Sequence, residues 1–395
     1  MSYAAPLAGL KVIDLSQGVA GPYCGMLLAQ HGANVIKVEP TGAGDWARTI
    51  GRRYGGHTAY SIPTNLGKRS IALDLKSDEG KDVLWRLIRG ADVLIEGFRP
   101  GVLDRLGFGY DAVSEREPRI LYLSVSGFGQ AGPLSGRPAM DPVLQAFTGL
   151  MMDNKGEDGI PHRVPFVIID MSTALYAFQA LSAALYARQD EPRGRRIEVS
   201  LLEAASAIQV IRMMMVYLEG ESVKRAMPSG VFKTADGWLQ LLVIRDDSWV
   251  RFCAAIERPE LATDRRFFDG DARALNEAEL MAIVRPAIAA KPTAHWAERL
   301  CEADIMHERL NSFREFLEHP QAKAIGLISW LQPDGAPAPI PMANIAGVAP
   351  LARDAPGSTT PVLGQHTVDI LREHGCTAGD IASLIEREIV AQSGT

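Results

Sequence analysis

Asp170 is the residue of this chain whose position best suits covalent chemistry. It follows an apolar, β-branched run, residues 164–169 (VPFVII), and precedes a stretch where Met171, Leu175, Phe178, Leu181, Ala184 and Leu185 recur at threes and fours. The run reads as a short buried strand and the stretch as a helix with one packed face. A carboxylate between them meets unpaired backbone N–H groups and the positive end of the helix dipole. Two roles fit that place. Asp is a preferred N-cap, and a carboxylate at the mouth of a fold is also a nucleophile. Rival nucleophiles are scarce, because the sequence has no G-x-S-x-G elbow. His31, His57 and His162 have no partner at a recognisable spacing.

A second set of residues falls where strands are predicted to end. Lys76 follows a strand over residues 70–75, and Gly97 and Phe98 follow one over residues 91–96, with Arg99 and Arg105 just beyond. Ligands of open α/β sheets gather outside the carboxyl ends of the strands. There the cations suit phosphates, Phe98 suits a base, and Gly97, Gly101, Gly127 and Gly129 let backbone approach a ligand closely. Solvated surface charge and ordinary turn chemistry are the competing reading.

The elements needed to position these residues alternate. A strand over 10–15 (LKVIDL), a loop over 16–22, a helix ending near Gly32 and a strand over 33–39 make a β-α-β unit. Its right-handed crossover implies a parallel sheet. The first loop lacks G-x-G-x-x-G, so no dinucleotide fingerprint is present. Ser77 with acidic neighbours opens a helix through Ile88. Strands are predicted over 120–126 and 196–200, then a helix over 201–218 containing Met213, Met214 and Met215. Such a methionine cluster suits a packed or interfacial face. A hairpin over 231–244 is predicted to turn at Asp236-Gly237 in a type I′ turn. Proline-rich residues 333–361 read as a surface crossing without elements of their own. Two amphipathic helices, 367–373 and 381–389, close the chain.

The expected fold class is α/β, with a large parallel-sheet domain and a smaller α+β domain. The boundaries are 1–218 for the first part of the large domain, 219–227 for a linker and 228–315 for the small domain. Residues 316–361 form a return linker, and 362–395 are helices rejoining the large domain. The length of 395 residues favours two domains over one. The net charge of −6 argues against a general affinity for nucleic acid. Cys24, Cys253, Cys301 and Cys376 lie far apart without metal-ligand spacing, so neither a disulfide framework nor a metal is expected. No secretory signal and no run of about 18 apolar residues is evident, so the expectation is a cytoplasmic protein without a membrane span.

The chain resembles the class III coenzyme A-transferases, the family that includes formyl-CoA:oxalate and carnitine CoA-transferases and the α-methylacyl-CoA racemases. The ordered marks include PLAGLKVIDLSQGVAGP, NLGKRSIALDLKSDEG, ADVLIEGFRPG, LDRLGFGYD, SVSGFGQAGP and PSGVFKTADGW. The resemblance places the family's nucleophile on Asp170 and a further active-site position on Gln17. It places coenzyme A contacts on Gln17, Ala20, Leu73, Lys76, Gly97, Phe98 and Arg105. It implies a Rossmann-like large domain, an interlocked homodimer, no permanently bound cofactor, and acyl-CoA and a small carboxylic acid as substrates. The implied chemistry passes through an aspartyl mixed anhydride and an aspartyl-CoA thioester. The alternatives are a racemase and a non-catalytic acyl-CoA-binding protein. Racemases of the family carry a His before the Asp of a G-H-D motif, where this chain has Met140-Asp141. Members acting on oxalate carry a Gly-rich loop with no counterpart around Ser229-Gly230, so oxalate is not expected. Gln17 stands where some members have a His.

Overall fold

Consecutive apolar residues of a strand point to opposite faces, so a pair such as Val12-Ile13 needs cover on both sides. The computed structural model, which describes residues 5–156, 158–220, 226–333, 335–355 and 357–393, supplies that cover in an α/β unit. Its sheet contains β1 (Lys11–Asp14), β2 (Asn34–Glu39), β3 (Arg69–Leu73), β4 (Val93–Glu96), β5 (Leu121–Ser126), β6 (Arg196–Ser200) and β7 (Val390–Ala391). The order is β7-β3-β2-β1-β4-β5-β6. Every pairing is parallel except β7 on β3, where Val390 opposes Leu73. The chain runs outward in one direction from β1 to β3 and in the other from β4 to β6. The switch point therefore lies between β1 and β4.

Helices cover both faces. On one side Ile13, Ile36 and Leu94 pack with α2 (Asp78–Ile88) and the C-terminal helices, labelled below, through Leu84, Leu87 and Ile370. On the other, Val12, Val35 and Leu121 pack with α1 (Ala20–Gln30), α4 (Ile168–Ala187) and α5 (Leu201–Ile208); α3 (Asp141–Phe147) precedes them in the chain. The C-terminal helices are α6 (Thr367–Glu373) and α7 (Ala378–Glu386). Ser77 caps α2, its Oγ accepting from Gly80 N at 3.1 Å. The four cysteines are unpaired.

Contacts divide the chain into Met1–Val210 with Lys323–Thr395, and Ile211–Ala322. The second unit has an antiparallel sheet of Ser229–Lys233, Trp238–Leu242 and Met306–Arg309, with Phe232, Leu239, Trp249, Phe252 and Trp296 in its core. Its hairpin turn differs from the predicted one. Neither Asp236 nor Gly237 has positive φ, so the turn is not type I′. Asp236 Oδ1 instead accepts from Thr293 N at 2.7 Å, tying the turn to the helix Thr293–Glu302.

Other expectations also need correcting. Residues 164–167 form no strand. Pro165 has no N–H for a ladder, and both backbone groups of Val164 bond the Gln145 side chain, at 2.9 Å (Oε1) and 3.2 Å (Nε2). The helix predicted over 201–218 breaks at Gln209, giving α5 and a separate helix Val210–Glu219. There Gln209 Nε2 donates to Ala205 O at 2.9 Å and to Thr148 Oγ1 at 3.0 Å. The first unit accordingly ends at 210. Most of the linker 219–227 lies outside the described residues. The segment 316–361 contains elements of its own: Ile328–Leu331 pairs antiparallel with Ile340–Ala343. Helix α4 is long and apolar enough to cross a membrane by length and composition. A count of consecutive apolar residues misses it because Asp170, Ser172 and Thr173 interrupt the run. Here Ile169, Ala174, Ala177 and Leu181 of α4 are buried in the core beside α1.

Candidate active site

The loop after β1 is fixed from beneath by buried charge. Lys68 Nζ lies 2.7 Å from Asp14 Oδ2, and Lys37 Nζ lies 3.0 Å from Asp45 Oδ2, with all four side chains fully enclosed. Asp14 Oδ1 accepts from Ser16 N at 3.0 Å, Asp45 Oδ1 accepts from Gly18 N at 2.8 Å, and Lys37 donates to the Ser16 carbonyl. The residues on either side of Gln17 are thus both tied to enclosed charged groups. Burial by itself would raise the Asp14 carboxyl, but Lys37 and Lys68 hold it below its ordinary value. Burial pushes the Lys68 ammonium down to about 8, against the attraction of Asp14. Gly18 is required here: its φ is +83°, and a Cβ would lie 2.0 Å from the Trp46 ring.

The loop after β4 meets the first loop across the switch point. Glu96 Oε2 accepts from Phe98 N at 2.8 Å, which turns the Gly97-Phe98 backbone outward. Between the loops lies a cleft of about 390 Å³, lined by Gln17, Ala20, Gly97, Phe98 and Asp170 among others. A ligand crevice at the switch point, outside the carboxyl ends of the strands, is what this sheet order predicts.

Asp170 sits in the first turn of α4 with its carboxylate facing the cleft. It is not the cap. Asp141, at the start of α3, reaches across to the N-terminus of α4, its Oδ2 accepting from Ile169 N at 2.6 Å and from Asp170 N at 3.2 Å. Gln145 Nε2 holds the other oxygen, Oδ1, at 2.6 Å. Among the described residues no donor reaches the Asp170 carboxylate. Its side chain keeps some solvent contact, but dense surroundings disfavour its charge. Burial first, and the Asp141 charge second, push the Asp170 carboxyl up to about 7. An uncompensated carboxylate at a cleft wall is suited to attack a bound electrophile. A structural carboxylate would be hydrogen-bonded.

Of the residues expected at the site, the structure brings Asp170, Gln17, Ala20, Gly97 and Phe98 together. Leu73 is enclosed in the sheet core, while Lys76 and Arg105 are exposed, and none of the three lines this cleft. Sequence reasoning did not place Trp46 or Arg137 at the site, and it met Asp141 only as the Asp beside Met140 in the run that matches the racemase motif. Trp46 and Arg137 line the cleft with Arg99. That match and the Asp-Pro pair opening a helix were the signals for Asp141, and neither reveals the second helix it caps.

A family model described as CoA-transferase family III matches residues 7–367. An acyl-CoA transferase of Fusarium pseudograminearum is 33% identical, over 97% of this chain and 88% of that protein. An acetyl-CoA:oxalate CoA-transferase of Acetobacter aceti is 36% identical, over 82% of this chain and 85% of that protein. The crystal structure of Rv3272 from M. tuberculosis superposes with a TM-score of 0.83 at 31% identity, covering 93% of this chain and 99% of that one.

Proposed function

The chain belongs to CoA-transferase family III, and on that footing we propose that Asp170 is the nucleophile that passes coenzyme A between two carboxylic acids. The observation that supports this role most directly is its unpaired carboxylate on the wall of the switch-point cleft, between the Gln17 and Gly97 loops. An Asp170 oxygen attacks the thioester carbonyl carbon, forming a C–O bond as the C–S bond breaks and CoA leaves as the thiolate. The product is a mixed anhydride. The thiolate then attacks the Asp170 side of the anhydride, giving an aspartyl-CoA thioester and releasing the donor acid. An acceptor carboxylate repeats the two steps in reverse order, so one thioester is conserved throughout. Gln17, held by its fixed neighbours, presents an amide donor to the acyl oxygen where charge develops. Dividing the exchange into covalent steps keeps the thioester from water.

Met140 supports transfer over racemisation. Two-base proton transfer at Cα needs a second acid/base group, and Met140 on the cleft wall can neither give nor accept a proton. The transfer itself is tested by incubating the enzyme with succinyl-CoA or acetyl-CoA and a panel of acids, following acyl-CoA products by mass. Only hydrolysis, with no new acyl-CoA, would count against it.

The attacking form of Asp170 is the carboxylate. Because burial and Asp141 raise it to about 7, kcat/KM should fall on the acid side with an apparent pKa near that value. Below it the decline is about tenfold per pH unit. Asp141→Asn keeps an acceptor for the two amides it caps but removes its charge, so the acid limb should move to lower pH. A limb near pH 4 in the wild type, unmoved by Asp141→Asn, would show that burial and Asp141 do not raise the Asp170 carboxyl.

Lys76, exposed after β3, and Arg105, exposed in the helix Val102–Leu106 that follows β4, are proposed to meet the phosphates of CoA. Lys76→Ala and Arg105→Ala should then raise KM for acyl-CoA far more than they lower kcat. Unchanged KM in both returns them to solvated surface charge. A homodimer is proposed as well. The helix Val210–Glu219 has no buried residue although Ile211, Met214, Tyr217 and Leu218 are apolar and exposed. Sedimentation at micromolar concentration should give a dimer that survives dilution, and a monomer would defeat the idea.

A further inference from the structure

A second hollow, about 560 Å³ in volume, adjoins the cleft within the same unit. Val19 lines both. Val167 and Met171, three residues before and one after Asp170, line the second hollow, while Asp170 lines the cleft. The first turn of α4 thus borders both spaces, with the reactive carboxylate toward one and an apolar wall toward the other.

The wall is defined by what it lacks. Among the described residues no Asp, Glu, Lys, Arg or His lines it; Met26, Tyr60, Phe166, Met342, Ile345 and Leu351 supply much of the surface. Its amide side chains are already engaged with the protein. Gln30 Nε2 donates to Gly357 O at 3.0 Å, and Asn344 Nδ2 donates to Gly326 O at 2.8 Å. Asn344 Oδ1 accepts from Leu351 N at 3.1 Å, and Thr64 Oγ1 donates to Tyr60 O at 2.8 Å. A second carboxylate placed here would lose its water and find no counter-charge, whereas a hydrocarbon group would gain from burial.

We propose that this hollow receives the acyl group, and that the acid carried by the enzyme is a monocarboxylate larger than acetate whose substituent is uncharged and mainly hydrocarbon. The inference rests on the reading of Asp170 as the transfer nucleophile. An acyl carbon bound to Asp170 has the cleft, and with it the sulfur, on one side. Beyond Val19 its substituent has the apolar space on the other.

Isotope exchange tests the acyl group without knowledge of the natural donor. The full-length enzyme is incubated with an acyl-CoA and the ¹³C-labelled form of the same acid, and label entering the thioester is followed by mass. Octanoyl-CoA and phenylacetyl-CoA are compared with acetyl-CoA, succinyl-CoA and glutaryl-CoA. The two apolar substrates should exchange with kcat/KM at least about tenfold above succinyl-CoA and glutaryl-CoA. Ile345→Phe and the bulkier Met342→Trp should each lower the octanoyl-to-acetyl ratio by about tenfold. Using a ratio within one preparation removes any loss of folded enzyme. Dicarboxylyl exchange as fast as octanoyl, or an octanoyl-to-acetyl ratio indifferent to both variants, would overturn the proposal. Absence of exchange with every acyl-CoA would instead defeat the transferase reading on which it rests.

Discussion

Asp170→Asn is expected to lower CoA transfer by several orders of magnitude while leaving the fold and acyl-CoA binding intact. The amide keeps the shape of the side chain and loses the oxygen that attacks. The helix cap is not at stake, because Asp141 caps α4 through the Ile169 and Asp170 amides. Stability gives a second readout. The Asp170 carboxyl is raised to about 7 from an ordinary 3.8, so between those values the folded state binds more protons than the unfolded one. Its ionisation therefore costs stability, a cost absent below about pH 4 and present in full above pH 7. The Asn variant removes that cost and should melt no lower than the wild type at pH 8. Hydroxylamine added to wild type during turnover should leave a hydroxamate on the peptide containing Asp170, since only an activated carboxyl reacts. An active Asn variant together with an unmodified wild-type peptide would falsify the mechanism.

Lys68→Met is expected to produce the largest loss of stability among single substitutions at the site. It leaves Asp14 enclosed without its closest cation, and breaking a buried ion pair costs about 3–5 kcal/mol. Methionine fills similar space, so the loss comes from the uncompensated carboxylate and not from a cavity. Urea unfolding should show a lower midpoint with the slope unchanged. The double variant Asp14→Leu/Lys68→Met removes both charges and should recover a large part of the loss. Asp14 also receives the Ser16 amide, so the single variant should loosen the Gln17 loop and raise KM for acyl-CoA. A single variant within about 1 kcal/mol of the wild type would show that Lys37 alone supports Asp14.

Local signals in the sequence were enough for the alternating elements. β1, β2, β4 and β5 follow short apolar runs, Ser77 announces α2, and Gly32 ends α1, all by interactions between residues a few positions apart. The same signals placed Gly97 and Phe98 at a strand end, and the ordered family motifs pointed to Asp170. Other features depended on partners distant in sequence. Residues 164–169 have strand composition, yet the Gln145 side chain takes the backbone groups of Val164 and the helix begins at Ile168. Val390 and Ala391 extend the sheet antiparallel beside β3, too short a segment to carry a periodic pattern. The cap of α4 is Asp141, 28 positions from Ile169, and that same carboxylate helps raise Asp170. A cap read from sequence assumes that the nearest carboxylate serves the nearest amides. Here a hydrogen bond made across the fold left Asp170 without that duty, and only the tertiary structure decided it, because burial and charge proximity are properties of residues brought together in space.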